Sequence, residues 1–321
     1  MSPRQKLLLL LASARLANLP SVVSNVWLGV ALGVYAQGAS GMGPPWSAAL
    51  QLSLCGVLLY AGGNFLNDWH DRHWDAQHRP ERALPQGAFA PATYLALAVL
   101  CAAAGLGLAF LTNRAAGLVA TLIVFCILLY THRHKRDARS VVLLGLCRAL
   151  LPLLFFSVWP LGNLGQGPFA SRENSLIATC FFIPHAFALM IYITALSLAA
   201  RRESVAARPA GSPDFARVLL GLAGLCMVVW SVPVRPLAAG AGLLLYGLWL
   251  GRCFTRYRQP IQRQVAALLA GIPLLDWVAL LPLALAMMAQ GRPLSFTLSC
   301  LLLPPLAFVS GCLLQRVAPA T

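Results

Sequence analysis

The sequence predicts an all-α membrane protein, a polytopic bundle of transmembrane helices. Of its 321 residues, 59% are hydrophobic and only 10% are charged, whereas soluble domains contain about 25% charged residues. Uncharged stretches of roughly 20 residues recur, the length that crosses a bilayer as a helix. Because no half of the chain is polar, we expect a single membrane domain over residues 1–321.

The apolar stretches give the order of the predicted spans. In chain order they cover residues 16–36, 46–66, 91–111, 115–131, 141–160, 176–200, 216–233, 236–251 and 264–290. Residues 294–314 supply a further stretch, so the bundle has nine spans, or ten if this one also crosses. The predicted core of the domain is residues 15–290.

The first residues contain some elements of a signal peptide. Arg4 and Lys6 precede the apolar run Leu7 to Leu11, but this run is too short for a signal peptide and Arg15 follows it closely. We therefore expect an uncleaved lead-in helix on the cytoplasmic side.

Basic residues are concentrated in alternate connections between the predicted spans. The N-terminus and four connections hold most of them, namely Arg4, Lys6, Arg15; Arg72, Arg79, Arg82; Arg133, Lys135, Arg136, Arg139; Arg201, Arg202, Arg208, Arg217; and Arg252, Arg256, Arg258, Arg263. The intervening connections hold only Arg114, Arg172, Arg235 and Arg292. This is the positive-inside pattern. It accounts for the net charge of +15 without a nucleic-acid partner, and it predicts a cytoplasmic N-terminus in, we expect, a bacterial inner membrane.

Three carboxylates follow the second predicted span. Asp68, Asp71 and Asp75 are spaced i, i+3 and i+7, so on a helix they share one face. They are a third of the nine acidic residues. Like charges on one face repel, so the pattern indicates a face filled by cations. Mg²⁺ takes oxygen ligands, often one or two carboxylates plus substrate phosphates, and the pattern therefore predicts a Mg²⁺-dependent site for a diphosphate.

The residues around the three carboxylates strengthen this prediction. Pro80, Pro85 and Gly87 predict a turn that brings Arg79 and Arg82 near the aspartates. Guanidinium groups bind phosphate oxygens well, although these arginines could instead follow the positive-inside rule or pair with the aspartates. Asn64 and Asn67 are further candidates for contacting a metal or a phosphate, and they lie on or beside the acidic face.

These motifs make the chain similar to the UbiA superfamily of intramembrane prenyltransferases. The segment Asn67-Asp68-x-x-Asp71-x-x-x-Asp75 matches the first Asp-rich motif of that family, and Arg79-Pro80 with Leu84-Pro85-Gln86-Gly87 resembles its following turn. Tyr130 with Lys135-Arg136 resembles its basic connection after the fourth span. The resemblance implies a bundle around a central cavity, with Mg²⁺-assisted ionisation of a prenyl diphosphate and transfer of the prenyl group to a lipophilic or aromatic acceptor. Lys135 and Arg136 would then bind the diphosphate.

The second Asp-rich motif of the family is incomplete in this chain. In the stretch Ser197–Glu203, Ala199 takes the place of the first acid and Glu203 that of the second. Arg201 and Arg202 are added between them. Glu203 could still contribute to metal binding and the two arginines could hold the diphosphate. The longer stretch from Tyr192 through Glu203, with Gly145-Leu146-Cys147-Arg148, resembles the EboC branch of the superfamily.

Three ionisable residues lie deep within the predicted spans, namely Arg148, His185 and Asp276. Charges at such depth usually face a partner or a cavity. Arg148 either reaches a diphosphate from within the membrane or forms an ion pair with Asp276, and we expect His185 to pack. We expect His70 and His73 to lie on the surface, because they point away from the acidic face.

Two other functions remain open at the sequence level. The incomplete second motif also fits a non-catalytic component that binds or transports isoprenoid lipids. A CDP-alcohol phosphotransferase would also use membrane aspartates, but the residues Asp71-Arg72-His73-Trp74 lack the pattern that such enzymes require.

Overall fold

The computed structural model describes residues 1–36, 46–156, 172–200, 215–229 and 231–318, and in these ranges the chain forms helices joined by turns without strands. We number the α-helices in chain order. They are α1 (Pro3–Ser13), α2 (Leu19–Ala36), α3 (Trp46–His78), α4 (Pro91–Thr112), α5 (Arg114–Arg133), α6 (Val141–Phe156), α7 (Arg172–Ala200), α8 (Phe215–Val229), α9 (Pro236–Thr255), α10 (Ile261–Ala270), α11 (Ile272–Ala289) and α12 (Leu294–Val317).

The helices confirm the predicted all-α membrane bundle. Eight helical segments in the described ranges are long and apolar enough to cross a membrane, and α6 and α8 are shorter apolar helices. Each of the ten predicted stretches therefore coincides largely with helix. The predicted number of nine spans is not confirmed. The predicted stretch 264–290 is divided at Gly271 into α10 and α11.

Helix α3 extends twelve residues beyond the predicted end of its span at residue 66. Its 33 residues correspond to about 50 Å of helix, whereas the hydrocarbon core of a bilayer is about 30 Å thick. The last turns of α3 therefore project past the apolar layer. These turns carry the three aspartates.

The bundle has a buried centre and an apolar periphery. In the segment Leu16–Tyr35, which contains most of α2, 83% of the most apolar stretch is buried inside the protein. The value is 72% in the α10–α11 segment and only 17% in α4. Helices α2 and α11 are therefore central, and α4 presents leucine and phenylalanine side chains outward, as expected of a lipid-facing helix. The polar side chains of α2 then have to find partners within the protein.

Close helix approaches hold α6 between α2 and α7. A Cβ at Gly29 of α2 would lie 2.0 Å from the carbonyl oxygen of Pro152 in α6, so only glycine permits this crossing. On the other side of α6, a Cβ at Gly145 would lie 2.6 Å from both the Met190 carbonyl oxygen and the Thr194 Oγ1 of α7. These contacts fix the position of Arg148, which lies on α6 between the two glycine-dependent crossings.

Candidate functional site

The three aspartates lie together at one end of α3, and all three are buried. Their residues are 4%, 6% and 2% exposed for Asp68, Asp71 and Asp75. The predicted helical spacing therefore places them on one inward face, as expected. Buried carboxylates require charge or hydrogen-bond partners, and the partners come from three different parts of the chain.

The turn after α3 returns an arginine to the carboxylates. Gly87 adopts φ +67°, a left-handed conformation that favours glycine, and the Ala88 amide donates to the Ala83 carbonyl at 3.0 Å. Within this turn, Arg82 Nη1 donates to Asp75 Oδ2 at 2.7 Å and to Asp68 Oδ1 at 3.3 Å. Arg82 thus bridges the first and third aspartates, one of the two roles that the sequence left open.

The second aspartate is contacted from the connection after α5. His134 Nε2 lies 3.0 Å and Lys135 Nζ 3.3 Å from Asp71 Oδ2. The other ring nitrogen of His134, Nδ1, lies 3.0 Å from the Thr131 carbonyl oxygen. The two ring nitrogens of His134 thus face one main-chain oxygen and one carboxylate oxygen. Lys135 also lies over the Trp74 ring, 3.6 Å from its centroid.

Two residues in these contacts were not predicted as site residues. Arg15, assigned from the sequence only to the N-terminal positive charge, places Nη2 3.3 Å from Asp68 Oδ1. It sits at φ +54°, directly before a single 3₁₀ turn at Leu16–Asn18. His134 was not predicted to contact the site, whereas the neighbouring Lys135 and Arg136 were. Its position directly before that basic pair is the sequence feature that could have indicated it.

Some predicted site residues lie elsewhere. Arg136 is exposed and is not among the cavity-lining residues. Arg201, Arg202 and Glu203 lie outside the described residues. His73 is exposed, as predicted, while His70 is exposed but places Nδ1 3.4 Å from Asp71 Oδ1.

The acidic face has an oxygen-rich donor set. Among the described residues, no three Asp, Glu, His or Cys side chains are arranged to hold a metal ion by themselves. However, two buried oxygens, Asp75 Oδ1 and Asn67 Oδ1, have no hydrogen-bond partner. Unpartnered buried oxygens are costly, and hard cations such as Mg²⁺ take oxygen ligands. The side chains therefore fit Mg²⁺ by donor chemistry, provided that the cation shares the carboxylates with Arg82 and Lys135.

A cavity of about 790 Å³ opens beside the aspartates. At the aspartate end its wall is polar and charged, and includes Asp71, Asp75, Arg79, Arg82, Lys135, Asn64 and Asn67. Farther in, α3, α5, α6, α7 and α10 supply apolar side chains, among them Leu59, Ile123, Ile127, Leu144, Leu151, Ile193, Leu196, Val265 and Leu269. The cavity therefore suits a ligand with an anionic head and a long apolar tail. Ser197 and Ala200 line it at the end of α7, directly before the incomplete second motif.

Asn64 contributes to the cavity wall one turn before Asp68. Its Nδ2 donates to the Tyr60 carbonyl at 3.0 Å and to the Ala14 carbonyl at 3.5 Å. Main-chain oxygens therefore accept from the amide nitrogen, and Asn64 lines the cavity.

Arg148 and Asp276 are linked through Asn25 and do not contact each other directly. The two alternatives that the sequence left open for Arg148, contact with a diphosphate or an ion pair with Asp276, therefore do not describe it completely. Arg148 Nη1 donates to Asn25 Oδ1 at 2.9 Å and to Ser21 Oγ at 3.1 Å. Asn25 Nδ2 in turn donates to Asp276 Oδ2 at 2.8 Å, and Ser24 Oγ donates to the same oxygen at 2.5 Å. The predicted ion pair is thus replaced by a relay through Asn25. Arg148 itself lines the cavity.

The packing prediction for His185 is consistent with its burial. The residue is 0% exposed, on α7 one residue after Pro184, which lies inside that helix. It does not line the cavity, so we assign it no role in the site.

Comparison with known proteins gives matches in both sequence and fold. The sequence profile of the UbiA prenyltransferase family matches residues 26–272. A protein named digeranylgeranylglyceryl phosphate synthase from Methanopyrus kandleri is 37% identical over 79 residues, which is 25% of this chain and 29% of that protein. One of the same name from Natronomonas pharaonis is 30% identical over 129 residues, 40% of this chain and 44% of that protein. These matches therefore span less than half the length of either relative.

The fold is shared with a solved structure. The apo structure of a UbiA homologue from Aeropyrum pernix K1 superposes with a TM-score of 0.51 at 15% sequence identity, covering 92% of this chain and 98% of that one. At this identity the similarity concerns the fold alone.

Proposed function

Because the chain belongs to the UbiA prenyltransferase family, we propose that it transfers an isoprenyl group from a prenyl diphosphate to a lipophilic acceptor within the membrane. The observation that carries the proposal is the division of the 790 Å³ cavity into a charged end and an apolar interior. A prenyl diphosphate has the same division. The charged end matches its head and the apolar end its tail.

The aspartate end holds the diphosphate in this proposal. Asp68, Asp71 and Asp75, with the oxygen of Asn67, are the residues that would hold Mg²⁺. When bound there, the ion neutralises charge on the phosphate oxygens as the C–O bond breaks. Arg79, Arg82 and Lys135 add fixed positive charge at the same end. Their guanidinium and ammonium groups stabilise the departing diphosphate without reorganisation.

The apolar interior protects the other product of ionisation. Breaking the C–O bond leaves an allylic cation on the prenyl group and both bonding electrons on the diphosphate. Side chains such as Leu59, Ile127 and Leu196 line the cavity and exclude water that would otherwise capture the cation. The acceptor then attacks the cation and releases a proton.

The protein's orientation follows from its charges. The basic residues cluster on the side of the Asp motif, so the positive-inside rule supports a cytoplasmic N-terminus and a cytoplasmic aspartate end. We expect this membrane to be a bacterial inner membrane.

Turnover by purified protein tests the proposal. Protein in lipid nanodiscs is incubated with Mg²⁺, labelled farnesyl or geranylgeranyl diphosphate and a lipid extract, and both released diphosphate and labelled lipid are measured. We expect Mg²⁺-dependent production of both, abolished by Asp71→Asn. Full activity in Asp71→Asn would contradict the metal assignment.

A second candidate function is a non-catalytic carrier of isoprenoid lipids, favoured by Ala199 in place of the first acid of the second motif. The same experiment separates the two. Retention of labelled prenyl diphosphates of several chain lengths, without released diphosphate, would support the carrier.

A further inference from the structure

The depth of the cavity can be measured along α3, because this helix lines it from the charged end inward. Its residues in the cavity wall run from Asp75 and Asp71 to Gly56. Since α3 is one continuous helix over this range, positions convert to distance at 1.5 Å per residue. Fifteen residues separate Asp71 from Gly56, which corresponds to about 22 Å. A ligand held by its head at Asp71 can therefore extend inward over this distance.

The cavity closes beyond Gly56 in the described part of the chain. Leu52 on α3 and Ala120 on α5 lie about one turn farther in than the last lining residues, and both are fully buried outside the cavity. The deepest described lining residues are Ile123 on α5 and Leu151 on α6. A Cβ at Gly56 would lie 3.3 Å from Leu151 Cδ2. Gly56 and Leu151 therefore meet at the inner end of the cavity, which we call the floor.

A second glycine lies in the cavity wall between the floor and the aspartates. Gly63 lines the cavity, and a Cβ there would lie 3.2 Å from two carbons of Ile127, a lining residue of α5. The adjacent Gly62 has a different surrounding, since its Cβ would lie 3.0 Å from Cβ of Cys101 and 3.2 Å from the Ala98 carbonyl oxygen, both on α4. Gly62 therefore serves helix packing, whereas a side chain at Gly63 would take space from the cavity.

Prenyl chains lengthen in equal steps that can be compared with these positions. With carbon–carbon bonds of about 1.5 Å, each four-carbon repeat of an extended prenyl chain adds about 5 Å. At the charged end, Asp75 and Asn67 line the cavity and each has a buried oxygen without a hydrogen-bond partner. A diphosphate head at these residues places the first prenyl carbon near Asn67.

The two glycines then fall at different isoprenoid units. Counted from Asn67, Gly63 is four residues inward and Gly56 eleven, or about 6 Å and about 16 Å. At about 5 Å per unit, Gly63 lies where the first unit ends and Gly56 where the third unit ends.

We propose that Gly63 and Gly56 determine which prenyl chain lengths the donor site accepts. This inference rests on the proposed function, because it assumes that the diphosphate of the donor occupies the aspartate end. A side chain at Gly63 meets the second isoprenoid unit, so it affects every donor longer than dimethylallyl diphosphate. A side chain at Gly56 meets only the fourth unit, so it affects geranylgeranyl diphosphate and leaves farnesyl and geranyl diphosphate. The absence of side chains at both positions lets the wild-type protein accept chains up to geranylgeranyl.

Binding of donor analogues of four lengths tests the proposal. The S-thiolo analogues of dimethylallyl, geranyl, farnesyl and geranylgeranyl diphosphate, whose C–S bond resists cleavage, are titrated by calorimetry into detergent-solubilised protein with Mg²⁺. We expect each added unit to tighten binding by the wild-type protein, because it buries more apolar surface.

The two glycine variants should change this series at different lengths. In Gly56→Leu the geranylgeranyl analogue should bind at least tenfold more weakly, and the three shorter analogues within twofold of the wild-type protein. In Gly63→Val the geranyl, farnesyl and geranylgeranyl analogues should all bind at least tenfold more weakly, and the dimethylallyl analogue within twofold. Gly107→Leu is the control, because Gly107 is an exposed residue of α4 where a Cβ meets nothing within 4 Å. It should leave all four affinities unchanged.

A floor variant tests the same idea in the opposite direction. Leu151→Ala removes the side chain that faces Gly56, so it should raise the affinity of the geranylfarnesyl analogue, relative to the geranylgeranyl analogue, at least fivefold. This measurement decides the matter if a glycine variant does not yield folded protein. An unchanged ratio would contradict the assigned floor.

The outcomes separate this inference from the proposed function. Wild-type protein that binds none of the analogues contradicts the proposed function itself. Wild-type protein that binds them, with glycine variants that keep its chain-length profile, contradicts only the role of Gly63 and Gly56. Equal weakening of all four analogues in a glycine variant also overturns that role, because it would show an effect on the head-group site.

Discussion

Replacing Arg82 by glutamine should have opposite effects on cation binding and on turnover. Arg82 Nη1 lies 2.7 Å from Asp75 Oδ2 and 3.3 Å from Asp68 Oδ1. At an effective dielectric constant of about 20, the Coulomb attraction at the shorter distance is roughly 6 kcal/mol before desolvation. Hydrogen bonds to charged groups retain about 1.5–3 kcal/mol of this as a net contribution. Arg82 therefore competes with a divalent cation for two of the three carboxylates.

The lower limit of this range predicts roughly tenfold tighter cation binding in Arg82→Gln. The same substitution removes a charge that stabilises the departing diphosphate, so turnover should fall by about 10²–10³-fold. Mn²⁺, a paramagnetic substitute for Mg²⁺, can be titrated by electron paramagnetic resonance without diphosphate, and turnover is measured by released diphosphate. Arg139→Gln is the matched control. Unchanged or weaker Mn²⁺ binding in Arg82→Gln would refute competition for the carboxylates.

Three further predictions concern the rest of the structure. His134→Ala should also tighten Mn²⁺ binding, by a smaller factor than Arg82→Gln, because it removes the ring nitrogen that lies 3.0 Å from Asp71 Oδ2 while Lys135 remains; weaker binding in the same titration would contradict this. Gly29→Ala should lower the thermal unfolding midpoint in detergent by several degrees, since the new Cβ would lie 2.0 Å from the Pro152 carbonyl oxygen. Gly107→Ala is the control and should leave the midpoint unchanged, because a Cβ there meets nothing within 4 Å. His73→Cys in a background without other cysteines should react with an impermeant maleimide only from the cytoplasmic face, and labelling from the opposite face would reverse the proposed orientation.

The sequence predicted the acidic face because its determinant is local. The spacing of Asp68, Asp71 and Asp75 fixes their common face on any helix, and the turn at Gly87 follows from local backbone chemistry. The contacts of Asp71 with His134 and of Asp68 with Arg15 depend on how distant segments pack. The presence of a histidine or an arginine in the sequence therefore does not reveal either contact.

The coupling between Arg148 and Asp276 was only half predictable. Their isolation within apolar spans indicated that each needs a partner, and it correctly drew attention to both. The intermediate partner, Asn25, lies on α2, more than 120 positions from Arg148 along the chain. Only the crossing of α2 and α6 at Gly29 brings these residues together.

The expectations for the second Asp-rich motif and for the EboC branch stay predictions. The roles of Arg201, Arg202 and Glu203 concern residues outside the described ranges, and the resemblance to the EboC branch has no bearing on the contacts described. The exposed position of Arg136 does not support a direct contact with a ligand in the cavity.

The dependence of diphosphate binding on Mg²⁺ tests most directly whether the carboxylates and a cation together form the head-group site. Equilibrium binding of the labelled S-thiolo analogue of geranylgeranyl diphosphate is measured with Mg²⁺ and with a chelator, in the wild-type protein and in Asp75→Asn. We predict tight binding only for the wild-type protein with Mg²⁺, and at least tenfold weaker binding in the other three conditions. Equally tight binding by the wild-type protein in the presence of the chelator would contradict the account.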